Sequence, residues 1–269
     1  MMDAIRNAQH RLSERAFLGA VALLFVASAA VTIIGCRSMA TMDAMPMPGG
    51  WTMSMTWMRM PGQTWPAAAA AFLGMWTVMM IAMMLPSLVP MLSRYRQAVG
   101  GMAGTRLGRL TTLVGAGYFF MWTAFGVAVF PLGVALAETT MQLPALARLM
   151  PIAAGMTILI AGTLQFTAKN GHYLACCRAS LKTGERLPAN AGTAWRHGLR
   201  LGFHCGRCCA NLMVILLVIG VMNLPAMAAV TAAITVERLA PGGERAARFI
   251  GAIIMAAGLW TITRTAGVA

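Results

Sequence analysis

The stretch His204-Cys205-Gly206-Arg207-Cys208-Cys209 gathers three thiols and an imidazole within six positions, at the mouth of an uncharged run from Ala210 to Asn223. Thiols packed this tightly beside an apolar segment have three chemical uses: they bind a soft metal, exchange disulfides or accept a lipid. If the segment is helical, Cys205 pairs with Cys208 and Cys209 at spacings that share one face, and His204 stands four positions before Cys208. If it is a turn at Gly206, Cys205-x-x-Cys208 is the short spacing that closes on one ion. The remaining ligands of a tetrahedral site would come from Cys177, Cys176, His172 or His204. Zinc would take such a set as a closed structural site, whereas Cu(I) is satisfied by two or three thiolates. Arg207, Arg200 and His197 are nearby in sequence and are expected to favour the thiolate form.

A second soft-ligand region lies between the first two apolar runs. It reads Met39-Ala-Thr-Met42-Asp-Ala-Met45-Pro-Met47-Pro-Gly-Gly-Trp51-Thr-Met53-Ser-Met55-Thr-Trp57-Met58-Arg59-Met60. Thioethers need no deprotonation, so they suit Cu(I) in an oxidising compartment. The pairs Met45/Met47, Met53/Met55 and Met58/Met60 resemble the methionine motifs of copper-handling proteins. Trp51 and Trp57 are expected either to stack on the ion or to anchor the loop at a membrane interface. The alternative is adaptable packing, since the chain holds 25 methionines. The theme continues at Met75, Met79, Met80, Met83 and Met84. Met75, Met79 and Met83 recur every four residues and so form one helical stripe. That stripe is either a thioether path or ordinary packing, and Pro86 and Pro90 are expected to end or kink its helix.

These ligands must be positioned by a frame built for lipid. Hydrophobic residues make up 59% of the chain and charged residues 10%, less than half the share of a soluble domain. Apolar runs long enough to cross a hydrocarbon core recur at Ala16–Ile34, Pro66–Met91, Thr111–Ala137, Met150–Thr167, Gly198–Met222 and Ala247–Thr263. A shorter run, Leu224–Val236, follows Pro225, so six or seven spans are expected. Ala16–Ile34 reads as an uncleaved first helix rather than a signal peptide, because it is long and Cys36 lacks a small-residue cleavage pattern before it. The expected fold is all-α: one polytopic transmembrane helical bundle over residues 1–269, with a Met-rich outer loop at 35–65 and a Cys-rich cytoplasmic loop at 169–209.

The formal charge of +14 is distributed by topology rather than as a nucleic-acid footprint. Arginines and lysines crowd the N-terminus (Arg6, Arg11, Arg15), the second loop (Arg94, Arg96, Arg106, Arg109) and the stretch from Lys169 through Arg178, Lys182, Arg186, Arg196 and Arg200 to Arg207. The alternate loops hold only Arg37 and Arg59, or Arg148. This positive-inside bias places the N-terminus and the cysteine-rich segment in the cytoplasm, where thiols stay reduced. With seven spans, Arg238, Arg245 and Arg248 also fall inside. Cys36 alone falls at the outer end of the first helix, so a disulfide framework is not expected.

Several stretches resemble a bacterial family of predicted metal-binding integral membrane proteins of unknown function. They are Trp76-x-x-Met79-Met80-x-Ala82-Met83-Met84-Leu85-Pro86-Ser87-x-x-Pro90-Met91 and Gly202-x-x-Cys205-x-x-Cys208-Cys209, continuing through Leu212-Met213 and Gly220-x-Met222-Asn223-Leu224 to Glu237-Arg238-x-x-Pro241. The resemblance implies a metal site that includes the Cys-x-x-Cys-Cys block. The family also carries a Cys-x-x-x-Cys-Arg element in the preceding loop. Here that element reads Tyr173-Leu174-Ala175-Cys176-Cys177-Arg178, with a tyrosine for the first cysteine and Cys176 inside. A site using both cysteines would have to rearrange, recruiting Cys176 or His172.

Other polar groups in the apolar segments are Asn211, Asn223, Gln165, Glu138 and Glu237, and Glu237 with Arg238 reads as an ion pair fixing a helix end. Gly100-Gly101 and Gly242-Gly243 are loop signals. No carboxylate pair, phosphate-cradling glycine loop or Ser/His/Asp set stands out, so no enzyme chemistry is expected. The leading expectation is a soft-metal protein of a bacterial inner membrane, binding, transporting or delivering copper(I), with zinc as the other ion. Its partners would be the lipid bilayer and a metal donor or acceptor protein, with no nucleic acid; oligomerisation is left open. The competing expectations are a membrane thiol-disulfide oxidoreductase using Cys205 and Cys208 with Cys177 as resolving thiol, and a subunit whose zinc-type site is purely structural.

Overall fold

The computed structural model describes residues 2–40, 45–59, 62–99, 104–178, 188–265 and 267. Met42, Met60, Gly100, Gly101, Lys182 and Arg186 lie outside the described residues. Among the described residues eight α-helices carry the fold: α1 (Met2–Ala40), α2 (Trp65–Ala98), α3 (Thr105–Gln142), α4 (Pro144–Leu164), α5 (Ala168–Arg178), α6 (Ala191–Ile219), α7 (Leu224–Leu239) and α8 (Gly243–Thr265). Two three-residue strands, β1 (Met45–Met47) and β2 (Trp51–Met53), form a hairpin between α1 and α2. The class is all-α apart from that hairpin.

Six of these helices are long and apolar enough to cross a membrane: the Leu12–Met39 part of α1, and α2, α3, α4, α6 and α8. α7 is a separate helix of 16 residues, about 24 Å long and short of a hydrocarbon core of about 30 Å. The step from α6 to α7 is written in the sequence. Gly220 adopts φ +126 and stops α6, the Asn223 side chain accepts from the Ala226 N–H, and Pro225 occupies the first turn of α7. Large apolar side chains such as Leu23, Leu132 and Phe249 stand on the outside of the bundle, the reverse of a water-facing surface and the pattern that lipid accommodates.

Two expectations are corrected here. Pro86 and Pro90 do not end α2, which runs on through both to Ala98. The two prolines withhold their N–H from the Ala82 and Pro86 carbonyls, a loss that helices tolerate inside an apolar bundle. Nor is the segment 169–209 a loop. Apart from residues 179–187, which lie outside the description, and the short link 188–190, it is helical in α5 and α6. The thiols therefore stand on helices inside the bundle.

Glycines set how closely the helices meet. A Cβ on Gly198 would lie 2.3 Å from the Val114 carbonyl oxygen, one on Gly202 would lie 2.8 Å from the Tyr118 oxygen, and one on Gly206 would strike the Phe125 ring. Gly198-x-x-x-Gly202-x-x-x-Gly206 thus makes the α6 face on which α3 lies, a small-residue contact of the kind that drives helix packing in lipid. It brings Tyr118 of α3 against the cysteines of α6. Gly155 and Gly162 of α4 meet Gly251 and Gly258 of α8 in the same way.

Candidate metal centre

α6 turns Cys205, Cys208 and Cys209 inward on one face, all at most 4% exposed. Their three Sγ atoms lie within 4.8 Å of one another. Cys205 and Cys209 are 3.7 Å apart, as are Cys208 and Cys209. A sulfur–metal bond of about 2.3 Å places the sulfurs of one ion about 3.8–4.0 Å apart, and the two distances to Cys209 already match that spacing. This is the helical alternative of the two left open by the sequence; Gly206 lies within α6 and forms no turn.

Cys177, at the end of α5, is fully buried and its Sγ is 3.1 Å from that of Cys208. It touches the group at one edge, outside the three sulfurs that share a 4.8 Å sphere. Cys176 points elsewhere: its sulfur meets His172 Nε2 at 3.5 Å on the exposed side of α5. His204 is exposed, with its ring against Phe203. At 100° per residue His204 stands roughly 100° from the middle of the buried stripe of α6, which falls at Cys205. Neither His204, Cys176 nor His172 belongs to the sulfur group. Among the described residues the cluster is thus three thiols with a fourth at its margin.

The positive charge at the centre comes from Arg238 of α7, which sequence reading had paired with Glu237. Arg238 is 4% exposed. Its Nη1 donates to Cys205 Sγ at 3.0 Å and to the Ser87 hydroxyl at 3.0 Å. Its Nη2 meets Met91 Sδ at 3.1 Å and Cys177 Sγ at 4.0 Å. Adjacent helical residues diverge by 100°, and Glu237 accordingly turns away to accept from Gln165 Nε2 at 2.8 Å; Gln165 Oε1 in turn accepts from Asn170 Nδ2. The described residues hold no carboxylate partner for Arg238, so sulfur is what its charge faces. Of the cations expected near the thiols, Arg207 lies out on the surface over the Tyr173 ring, 4.3 Å from its centroid, and donates to its hydroxyl. His197 stacks on Tyr95.

Tyr118 completes the surroundings. It is fully buried and its hydroxyl donates to Cys205 Sγ at 2.9 Å. Cys205 therefore has two polar donors, Tyr118 and Arg238, from helices far apart in sequence. A tyrosine within the apolar α3 and an arginine at the end of α7 were the signals available, but neither says what it faces. The chemistry of the donor set suits a soft monovalent ion: three thiolates on Cu(I) carry a net −2, and Arg238 offsets one of those charges. A structural zinc site needs a fourth ligand, and among the described residues Cys177 is the further thiol beside the group.

The methionines fall into two groups. In the hairpin, Met45 pairs with Met53 and Met47 with Trp51, so all four side chains share the inward face while Pro46 and Thr52 face out. Met53 is buried; Met45, Met47 and Met55 are half-buried. The tryptophans anchor this unit to the bundle. Trp51 Nε1 donates to the Ala147 carbonyl at 2.8 Å, and Trp57 stacks on Phe72 with ring centroids 5.3 Å apart. Along α2, Met79, Met80, Met83 and Met84 are all buried, at 2% exposure or less, in one core with the thiols. At the end of the bundle away from those thiols, Cys36 Sγ is 3.8 Å from Met222 Sδ, and Met75 packs against Gly35.

No curated protein and no solved structure matches the chain. The match that exists covers α2 from residue 73 through α8 to residue 261, and includes the whole sulfur group, Tyr118 and Arg238. It is to the PpoB2 family, described as a copper chaperone, and with most of its length inside that match the chain belongs to this family.

Proposed function

We propose that this protein is a multi-pass membrane carrier that holds Cu(I) on Cys205, Cys208 and Cys209 and delivers it to another protein. The observation that carries the reading is the buried three-sulfur group with Arg238 on its edge. Copper is the cargo, and no bond of a substrate is made or broken; the protein has no catalytic role. Binding needs the thiols deprotonated, and Arg238 supplies the countercharge where no water can. Cys177 is a fourth sulfur beside Cys208, placed to take the ion as it enters or leaves.

The thioethers give a route to this centre. From Met75 to Met91 is 16 residues of α2, about 24 Å of helix. Cys205 to Gly220 along α6 spans about 22 Å, so Cys36 and Met222 mark the far end of a column of soft ligands. Its steps are Met79, Met80, Met83 and Met84, and the hairpin thioethers would capture the ion before it. The arginine distribution supports a reading with the thiol end towards the cytoplasm and the hairpin outside, and the membrane proposed is a bacterial inner membrane.

The test is metal content by mass spectrometry on protein purified reduced and anaerobically, beside a Cys205→Ser/Cys208→Ser/Cys209→Ser variant. Stoichiometric copper in the first and none in the second is the expected result. Zinc retained in place of copper would turn the reading to a structural site. The 3.1 Å approach of Cys177 to Cys208 favours one rival, a thiol-disulfide exchanger. That rival predicts an intact protein free of metal whose Cys177 and Cys208 cycle between thiol and disulfide.

A further inference from the structure

A centre buried to 4% exposure or less needs a way in. The described structure offers one on α5. His172 and Cys176 stand one helical turn apart on the open side of that helix, with Cys176 Sγ 3.5 Å from His172 Nε2. His172 is exposed and Cys176 half-buried. The next residue, Cys177, is fully buried and reaches Cys208 at 3.1 Å, and Cys208 lies 3.7 Å from Cys209. One short helix thus carries a soft-ligand pair facing out and, 100° round its axis, a thiol facing the centre. His172 also lines a cleft of about 350 Å³ between α5 and α8, bordered by Glu244 and Arg248.

We infer that His172 and Cys176 form a separate, transient two-ligand port, which exchanges Cu(I) with a thiolate-bearing donor or acceptor and relays it through Cys177 to the buried sulfurs. This rests on the reading of the three-thiol group as a copper centre. Two ligands suffice to take Cu(I) from a thiolate complex and are too few to hold it against a three-thiolate site. The transfer is a ligand exchange in which no electron moves. The donor's sulfur–copper bond breaks as those to Cys176 and His172 form, the Cys176 proton leaving with the released donor. Those two bonds then break as one to Cys177 forms, and the Cys177 proton passes to Cys176. The direction follows from sulfur count, one sulfur and one imidazole outside against three sulfurs inside.

The alternative is that the pair is an ordinary contact on a helix surface, and rates separate the two. Full-length protein in detergent is loaded from a Cu(I)–glutathione complex, and copper is then withdrawn by the chelator bathocuproine disulfonate. In His172→Ala/Cys176→Ser, both uptake and withdrawal are expected to slow at least tenfold while the final copper content stays at the wild-type value. Cys176→Met, which keeps a soft sulfur at the port, is expected to recover most of the rate. Unchanged rates in the double variant overturn the inference, as does a lower final copper content, which would make the pair part of the centre itself. Failure of the wild type to take up copper overturns the copper reading instead, so the two failures are distinguishable.

Discussion

Arg238 Nη1 donates to Cys205 Sγ across 3.0 Å, tying the end of α7 to the middle of α6. A guanidinium at 4% exposure is costly unless negative charge faces it, and among the described residues its partners are the sulfurs and the neutral Ser87 hydroxyl, with no carboxylate. Replacing it tests whether the charge serves the ion. At an effective dielectric near 20, two unit charges about 4 Å apart interact by about 4 kcal/mol, of which desolvation and rearrangement leave a part. Arg238→Met is expected to weaken Cu(I) binding by roughly 10- to 100-fold in competition with a chelator, about 1.4–2.7 kcal/mol. Arg238→Lys keeps the charge and loses the fork, so it should fall between. Equal affinities in all three would remove the countercharge from the account.

The four thiols at the buried centre are not equivalent. Cys205, Cys208 and Cys209 share one 4.8 Å sphere, and Cys177 touches only its edge. Cys205→Ser is therefore expected to abolish stoichiometric copper, whereas Cys177→Ser should retain it and change only how quickly it is exchanged. X-ray absorption on the Cys177→Ser protein should still report three sulfurs about 2.3 Å from the metal. Loss of copper in that variant would make the site four-coordinate and move the preference towards zinc.

Much of this centre can be read from the sequence, and the limits are geometric. Cys205, Cys208 and Cys209 obey the spacing of one helical face, and the helix delivers it. Cys176 and Cys177 are neighbours 100° apart, so only one can face inward, and the alternation of apolar residues on an 11-residue helix does not say which. The same holds for Glu237 and Arg238: side by side they read as a pair, yet their side chains diverge to Gln165 and to Cys205. Tyr118 lies 87 residues before Cys205 and is brought to it by the α3–α6 contact. The spacing of Gly198, Gly202 and Gly206 is a small-residue signal for such an interface, but from the sequence Gly206 was read only as a possible turn. The six long apolar helices were legible from apolar length, with the shorter run of α7 left between six and seven spans, whereas the passage of α2 through Pro86 and Pro90 depends on its neighbours.

The hydroxyl of Tyr118 has no role in packing that a phenyl ring would not fill. Tyr118→Phe removes its donation to Cys205 at 2.9 Å and leaves the ring in place. A hydrogen bond to a charged group contributes about 1.5–3 kcal/mol. Copper affinity is expected to fall roughly tenfold, with the apoprotein's melting temperature changed by only a few degrees. A variant that fails to fold would instead assign Tyr118 to the α3–α6 interface alone.

The close crossing of α3 and α6 carries a prediction about the fold. A Cβ at Gly198 would stand 2.3 Å from the Val114 carbonyl oxygen and 3.1 Å from Gly117 Cα. Those are backbone atoms that cannot move without parting the helices. Gly198→Ala is expected to lower stability by about 1–3 kcal/mol, as overpacking of a tight contact does. Because the crossing also sets Tyr118 against Cys205, copper affinity should fall with it. Gly115→Ala, on the same α3 with open space around it, is the matched control and should leave both unchanged.

Whether the buried methionines of α2 are packing or path is decided by a substitution that keeps volume and removes sulfur. Leucine replaces methionine in a core at a cost usually below about 1.5 kcal/mol, so Met79→Leu/Met83→Leu should fold and still bind copper at the thiols when the ion is offered from the side opposite the hairpin. In sealed proteoliposomes, copper offered on the hairpin side is a different matter. The ion must then cross about 24 Å of helix from Met75 to Met91, and without thioethers at two buried steps its arrival at Cys205, Cys208 and Cys209 should slow at least tenfold. Cys36→Ser/Met222→Leu, which empties the far end of the same column, should slow it similarly. If both variants load as fast as the wild type from the hairpin side, the stripe is packing. The thiol centre would then exchange copper from one side only.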